Sequence, residues 1–247
     1  MAGPGRVYIV GAGPGDPELI TVKGLRLLRS ADAVVYDRLV PGELLGEAKR
    51  GARLVYAGKA PGRHAMSQDE INRLLEGLAR EGLVVVRLHG GDPLTFGRGE
   101  EECAYLLSRG IPCEVVPGIP SYVAASAEHL LPLGSRGYSR VYTVATGTLA
   151  GGTPLPRERL EAAMRASDSL VVLMAASRAA EILGLAAETL GPQAPAAIVE
   201  SASTPKSKLT LGPAGELAAT AKPRPPALIY IGGAVRWRLD TLPTGRS

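Results

Sequence analysis

The chain has 247 residues, of which 45% are hydrophobic and 21% charged, with a formal net charge of +4 and a sequence pI near 9.2. That is enough apolar material for one large core or two smaller ones, and no stretch approaches the roughly 18 consecutive apolar residues of a membrane span. The mildly basic balance suits an anionic small molecule or RNA, but Lys and Arg are scattered and aromatic residues make up only 4%, which argues against nucleic acid.

The start, Met1-Ala2-Gly3-Pro4-Gly5-Arg6, runs straight into an apolar stretch with no signal-peptide pattern, so a cytoplasmic protein is expected. Strands are predicted over Val7–Val10, Ala33–Tyr36, Val84–Leu88 and Cys113–Val116. Helices are predicted over Leu19–Arg29, Ser67–Glu81, Glu100–Ser108 and Ser121–His129, with Ser67 and Glu70 spaced as an N-terminal cap. This alternation implies a parallel sheet covered by helices on both faces. Leu131 through Ser139 is rich in turn formers and reads as an interdomain connection. Beyond it, strands are predicted at Val141–Ala145, Leu170–Met174, Ala196–Val199, Lys208–Leu211 and Leu228–Ile231. Helices are predicted near Arg157–Arg165, Arg178–Leu190 and Ala214–Ala221. The expected architecture is therefore two α/β domains, 1–134 with a mostly parallel sheet and 135–247 with a mixed sheet, and an active site in the cleft between them. Cys103 and Cys113 lack metal-ligand spacing and read as small buried thiols of a reducing compartment.

Three of the predicted strands empty into Gly/Pro loops: Gly11-Ala12-Gly13-Pro14-Gly15-Asp16-Pro17, Gly90-Gly91-Asp92-Pro93 and Pro117-Gly118-Ile119-Pro120-Ser121. Such loops expose bare backbone at the carboxyl edge of a sheet, where open α/β folds bind ligands. The first imitates a dinucleotide fingerprint, but Asp16 and Pro17 stand where a third glycine is needed, so the helix starts later and the loop is wider. Asp37, at the end of Val34-Val35-Tyr36, either caps the next turn or pairs with Arg38 on the surface, or stands at the crevice edge as an acid/base group or a ligand for polar hydrogens; its position favours the last reading. Lys59, Arg63, His64 and Arg38 form a cationic set that suits a polyanion, with a solvated loop as the alternative. Asp92 is open to two readings, an Asx-type turn or an acceptor for ligand hydrogens; a turn explains Asp92 and Pro93 but not both glycines. Met174 closes an apolar strand and reads as core.

The ordered series Val10-Gly11-Ala12-Gly13-Pro14-Gly15-Asp16-Pro17, Leu19 through Gly24, Tyr36-Asp37-Arg38-Leu39-Val40, Gly58-Lys59, His64 with Gln68 through Leu75, Gly90-Gly91-Asp92-Pro93, Phe96-Gly97-Arg98-Gly99-Glu100-Glu101 and Val115-Val116-Pro117-Gly118-Ile119 resembles the uroporphyrinogen-III C-methyltransferases of the tetrapyrrole (corrin/porphyrin) methylase family. The match runs from Val7 to about Arg236. The resemblance implies two α/β domains, a homodimer and S-adenosylmethionine as methyl donor. By match of motif, Pro14, Gly90, Gly91, Asp92, Thr95, Pro120, Ser121, Met174, Ala202 and Ala227 would touch the cofactor. Asp37 would accept a proton, Lys59 would donate one, and Arg38, Arg63 and His64 would meet the substrate's carboxylates. Met174 thus moves from core to adenosyl contact on family grounds alone.

The chain departs from the family pattern at Ala60, at Gly134 and Ser135, at Pro120 and at Leu173-Met174-Ala175. The first two departures concern the substrate side more than the cofactor. The implied reaction is methylation of uroporphyrinogen III at C2 and C7 to give precorrin-2, on the way to sirohaem and cobalamin, with no metal required. A methylase of a later precorrin, a non-catalytic S-adenosylmethionine-binding module, a nicotinamide dehydrogenase and an RNA-modifying enzyme stand as alternatives.

Overall fold

A computed structural model describes residues 4–58, 66–149 and 152–242. Contacts divide the chain into two compact units, Met1–Ser121 and Tyr122–Ser247.

In the first unit, strands β1 (Arg6–Gly11), β2 (Ala33–Tyr36), β3 (Arg53–Tyr56), β4 (Val84–His89) and β5 (Cys113–Val116) form one sheet in the order β3-β2-β4-β1-β5. Every pairing is parallel, so each strand must be joined to the next by a crossover. Helices α1 (Val22–Ser30) and α2 (Gly42–Leu45) cover one face, where Leu27, Leu28 and Leu44 meet Val10, Val34, Val86 and Leu88. Helices α3 (Gln68–Arg80) and α4 (Gly99–Leu107) cover the other, where Ile71, Leu75, Leu78 and Leu106 meet Val7, Ile9, Val35 and Val85. Neighbouring strand residues thus feed opposite cores, as the two-residue period of a strand requires. Ser67 accepts from the Glu70 N–H while Glu70 reaches back to the Ser67 N–H, which completes the capping box at the start of α3.

In the second unit, β6 (Tyr142–Thr146), β7 (Ser169–Leu173), β8 (Pro195–Glu200), β9 (Lys208–Pro213) and β10 (Ala227–Gly232) form a mixed sheet in the order β6-β7-β10-β8-β9. Only β6 and β7 pair parallel. Helices α6 (Arg157–Ala166), α7 (Ala179–Leu190) and α8 (Ala214–Thr220) pack on one face through Leu160, Ile182 and Leu217. The other face meets Ala125 of α5 (Ser121–Glu128) and Ala234 and Val235 of α9 (Gly233–Thr241).

Three expectations are corrected. The boundary read at 134/135 falls at 121/122, because Ala125 and Leu131 lie in the core of the second unit with Val171 and Tyr230. The supposed connection at 131–139 is folded into that unit, closed by a bridge between Ser135 and Ser139. The helix expected from Leu19 begins at Val22, where the Thr21 side chain accepts the Gly24 N–H; Pro17–Leu19 make a separate short turn capped by Asp16. Strand β3 and helices α2 and α9 carried no reading in the sequence.

Candidate active site

The loops after β4, β1 and β5 are adjacent, because these strands are neighbours in the sheet. After β1 the chain passes to the α1 face and after β4 to the α4 face, so this edge is a switch point of the fold, the place where open α/β sheets bind ligands. The loops are laced together by backbone. Gly91 N–H donates to Gly13 O at 2.7 Å, Gly13 N–H to Gly91 O at 3.2 Å and Ala12 N–H to His89 O at 2.8 Å. A Cβ on Gly118 would lie 2.2 Å from Gly91 O, and one on Gly90 would lie 2.5 Å from Leu39 Cβ, so bulk is excluded at both. Gly91 has φ +73, and a Cβ there would meet the backbone of Ile119, Pro120 and Ser121 in ordinary contact at 3.8–4.0 Å. The close approach of Leu39 thus accounts for Gly90 and the left-handed backbone for Gly91.

Asp92 resolves toward the turn reading, with an added role. Its Oδ1 accepts from Leu94 N–H and Thr95 Oγ1, each at 3.0 Å, and its Oδ2 accepts from Gly118 N–H at 3.1 Å. The carboxylate therefore holds two loops in register. Beyond it, Phe96 and Arg98 adopt φ of 56 and 64, and Arg98 makes a two-pronged contact with Glu101 at 2.9 and 2.7 Å.

Asp37 lies at the same edge, after β2. Its Oδ1 accepts the Leu39 N–H at 3.0 Å, so it does cap the following turn. The alternative of a pair with Arg38 does not hold: the cation facing Asp37 Oδ2 is Arg87 Nη2, at 3.5 Å, while Arg38 is exposed. Arg87 projects from β4 into the α4 side, where Nε reaches Glu102 Oε1 at 3.2 Å and Nη1 donates to Leu88 O at 2.9 Å. Glu102 Oε2 lies 2.8 Å from His89 Nε2, and Gln68 donates to Glu102 Oε1 at 3.1 Å. Burial pushes the Glu102 carboxyl up, but the contacts with His89, the Arg87 charge and the Gln68 amide outweigh it and hold the group below the ordinary glutamate value. An ionised carboxylate only accepts, so His89 Nε2 carries the proton.

In the second unit, Met174, Ala202 and Ala227 gather at the edge formed by the ends of β7 and β8 and the start of β10. Ala175 N–H reaches Ala227 O at 3.4 Å, and Ser201 N–H donates to Pro226 O at 2.9 Å. Met174 is corrected as a core residue: it is 48% exposed, with φ 53, just past the end of β7. Ser201 and Ser203 share the left-handed conformation, at φ 49 and 59. Ala202 and Ala227 are buried.

The structure thus brings Pro14, Asp37, Arg38, Gly90, Gly91, Asp92, Thr95, Pro120 and Ser121 to one edge of the first sheet, and Met174, Ala202 and Ala227 to one edge of the second. Lys59, Ala60, Arg63 and His64 lie outside the described residues. Cys103 and Cys113 are free thiols, and burial pushes the Cys113 thiol up, as expected of inert groups. The residues that sequence reasoning missed are Arg87, His89, Glu102 and Gln68. Their signal was legible: Arg87 and His89 alternate with apolar residues in a strand buried on both faces, so both charges had to point one way into a core.

The model of the Tetrapyrrole (Corrin/Porphyrin) Methylases matches residues 6–218. A uroporphyrinogen-III C-methyltransferase of Methanocaldococcus jannaschii is 40% identical over 236 residues, covering 94% of this chain and 97% of its own. A siroheme synthase of Hydrogenovibrio crunogenus is 42% identical over 239 residues, 95% of this chain but 50% of its own; the chain spans about half the length of that relative. Among solved structures, a uroporphyrin-III C-methyl transferase from Thermus thermophilus, complexed with S-adenyl homocysteine, superposes with a TM-score of 0.82 at 44% identity over 94% of this chain and 99% of that one. The interlaced glycine loops and the family match agree, and the chain belongs to the tetrapyrrole (corrin/porphyrin) methylases.

Proposed function

We propose that the chain is an S-adenosylmethionine-dependent C-methyltransferase that methylates uroporphyrinogen III at C2 and C7 to give precorrin-2. The observation that carries this reading is the set of loops interlaced through Gly13 and Gly91 and held in register by Asp92, in a chain so similar over nearly its whole length to methyltransferases of this kind.

Close-packed glycine loops at the carboxyl edge of a parallel sheet suit a compact ligand such as S-adenosylmethionine. Pro14, Gly90, Gly91, Asp92, Thr95, Pro120 and Ser121 of the first unit, with Met174, Ala202 and Ala227 of the second, are the residues assigned to hold it. When bound, S-adenosylmethionine supplies a methyl group on a positively charged sulfur. The chain's own contribution is to fix the acceptor carbon against that methyl, since positioning accounts for a large share of the acceleration in such a transfer. Arg38, Arg63 and His64 are assigned to the substrate's carboxylates, which fix its orientation. Asp37 stabilises positive charge developing on the pyrrole and accepts the one proton that each methyl transfer releases from the ring; Lys59, the donor the resemblance implies, is assigned to return that proton to solvent. The assembly is expected to be a homodimer and the site of action the cytoplasm; sedimentation tests the first. No helix among the described residues is long and apolar enough to cross a membrane.

The test of substrate is a competition in which uroporphyrinogen III and a later precorrin are offered together with limiting methyl donor. Label is expected on uroporphyrinogen III; label on the later precorrin alone would overturn the assignment in favour of a downstream methylase.

A further inference from the structure

Among the described residues, the buried acidic and basic side chains are Arg87, His89 and Glu102, at 4%, 3% and 1% exposure, and they form one cluster. Apolar residues of similar volume usually serve a core at least as well as a buried ion group, because taking charges out of water is costly even when they are paired. Such a group needs another reason for its place, and its geometry provides one.

The contacts form a directed chain that ends at the carboxyl edge of the sheet. Gln68, at the start of α3, and His89, at the end of β4, each hold one oxygen of Glu102. Glu102 in turn holds Arg87 Nε, and Leu88 O holds Arg87 Nη1, so the planar guanidinium is pinned along two of its edges. Its remaining nitrogen, Nη2, faces Asp37 Oδ2. The other Asp37 oxygen accepts the Leu39 N–H, so the carboxylate is held by the turn on one side and faces the buried guanidinium, as an ion pair at 3.5 Å, on the other.

We propose that Arg87, fixed by Glu102, is a positioning residue that orients the Asp37 carboxylate for methyl transfer, with Gln68 and His89 holding Glu102 in place. The proposal rests on the reading of Asp37 as the group that acts on the pyrrole. Arg87 itself touches no reacting atom. A lysine in its place keeps a buried positive charge beside Glu102 but has no planar fork, and cannot meet Glu102, Leu88 O and Asp37 together.

The test is a double-mutant cycle on the full chain with Arg87→Lys and Asp37→Asn, with S-adenosylhomocysteine affinity measured alongside. Arg87→Lys is expected to lower kcat about tenfold while KM and S-adenosylhomocysteine affinity stay within about twofold, and to change the residual kcat of Asp37→Asn by less than about twofold. An equal fold-loss in both backgrounds, an unchanged kcat, or a loss of affinity in step with kcat would overturn the proposal. Glu102→Gln repeats the cycle if Arg87→Lys does not fold, with the same outcomes. If the wild-type protein moves no methyl to uroporphyrinogen III, the functional reading fails by itself. The positioning claim is then read from crystal structures of wild type and Glu102→Gln, where the Asp37 carboxylate is expected to shift by about 1 Å; an unmoved carboxylate would overturn it.

Discussion

The Gly118 N–H donates to Asp92 Oδ2 at 3.1 Å, so a side chain in the loop after β4 fixes the backbone of the loop after β5. The other oxygen of the same carboxylate accepts from Leu94 N–H and Thr95 Oγ1. Asp92→Ala releases all three donors at once. The expected result is a loss of about 1–3 kcal/mol in stability and a fall of at least about tenfold in S-adenosylhomocysteine affinity, because the loop after β5 loses its tie to the loop after β4. Urea unfolding and calorimetric titration measure the two effects; unchanged affinity would show that the register of these loops does not shape the cofactor site.

Asp37→Ala is expected to lower methyl transfer by about 10²–10⁴-fold while leaving S-adenosylhomocysteine affinity close to wild type. Single-turnover rates with uroporphyrinogen III, beside calorimetry, separate the two quantities. Turnover equal to wild type in a folded variant would remove Asp37 from the chemistry.

The pH dependence of stability follows from Glu102. Its carboxyl lies below the ordinary value of 4.5 in the folded protein, so the unfolded chain binds that proton more tightly. The stability it contributes is therefore fully present above about pH 4.5 and is lost as the pH falls through the lower, folded value. Glu102→Gln is expected to flatten the decline below pH 4.5, and at pH 7 to cost about 3 kcal/mol, since Arg87 is left buried beside a neutral partner. Urea unfolding at pH 7 and at acid pH checks both, and equal acid slopes for the two proteins would contradict the assignment.

Met174 is nearly half exposed in a left-handed conformation next to the buried Ala175, an arrangement that serves no core. Met174→Ala is expected to weaken S-adenosylhomocysteine binding by about five- to fiftyfold through lost apolar contact, with thermal stability little changed. A variant that binds as tightly as wild type but melts earlier would return Met174 to a packing role.

Much of the fold was legible in the sequence because its strands are short apolar runs that end in turn formers, as at Val84–Leu88 before Gly90-Gly91. Even the mixed second sheet was visible in the extra strand from Lys208. Strand β3 was not, since Arg53–Tyr56 is a four-residue edge strand paired on one side only, with Arg53 and Leu54 exposed, and gives little periodic signal. Helix α9 was hidden by Gly232 and Gly233, which read as a loop although a Cβ on Gly233 would lie 2.1 Å from Tyr138 O. At the site, the loop residues were found from their glycines, while the partner of Asp37 was not. A strand residue some fifty positions away, Arg87, reaches it only through the register that pairs Val35 with Arg87 across β2 and β4, a long-range fact that no local pattern contains.

The most direct test of the account is an anaerobic incubation of the full chain with uroporphyrinogen III and methyl-labelled S-adenosylmethionine, followed by product mass and visible spectrum. The account predicts a product that carries two labelled methyl groups, heavier by two CH2 units, with a changed visible spectrum. No label on the tetrapyrrole, from protein that still binds S-adenosylhomocysteine, would contradict it.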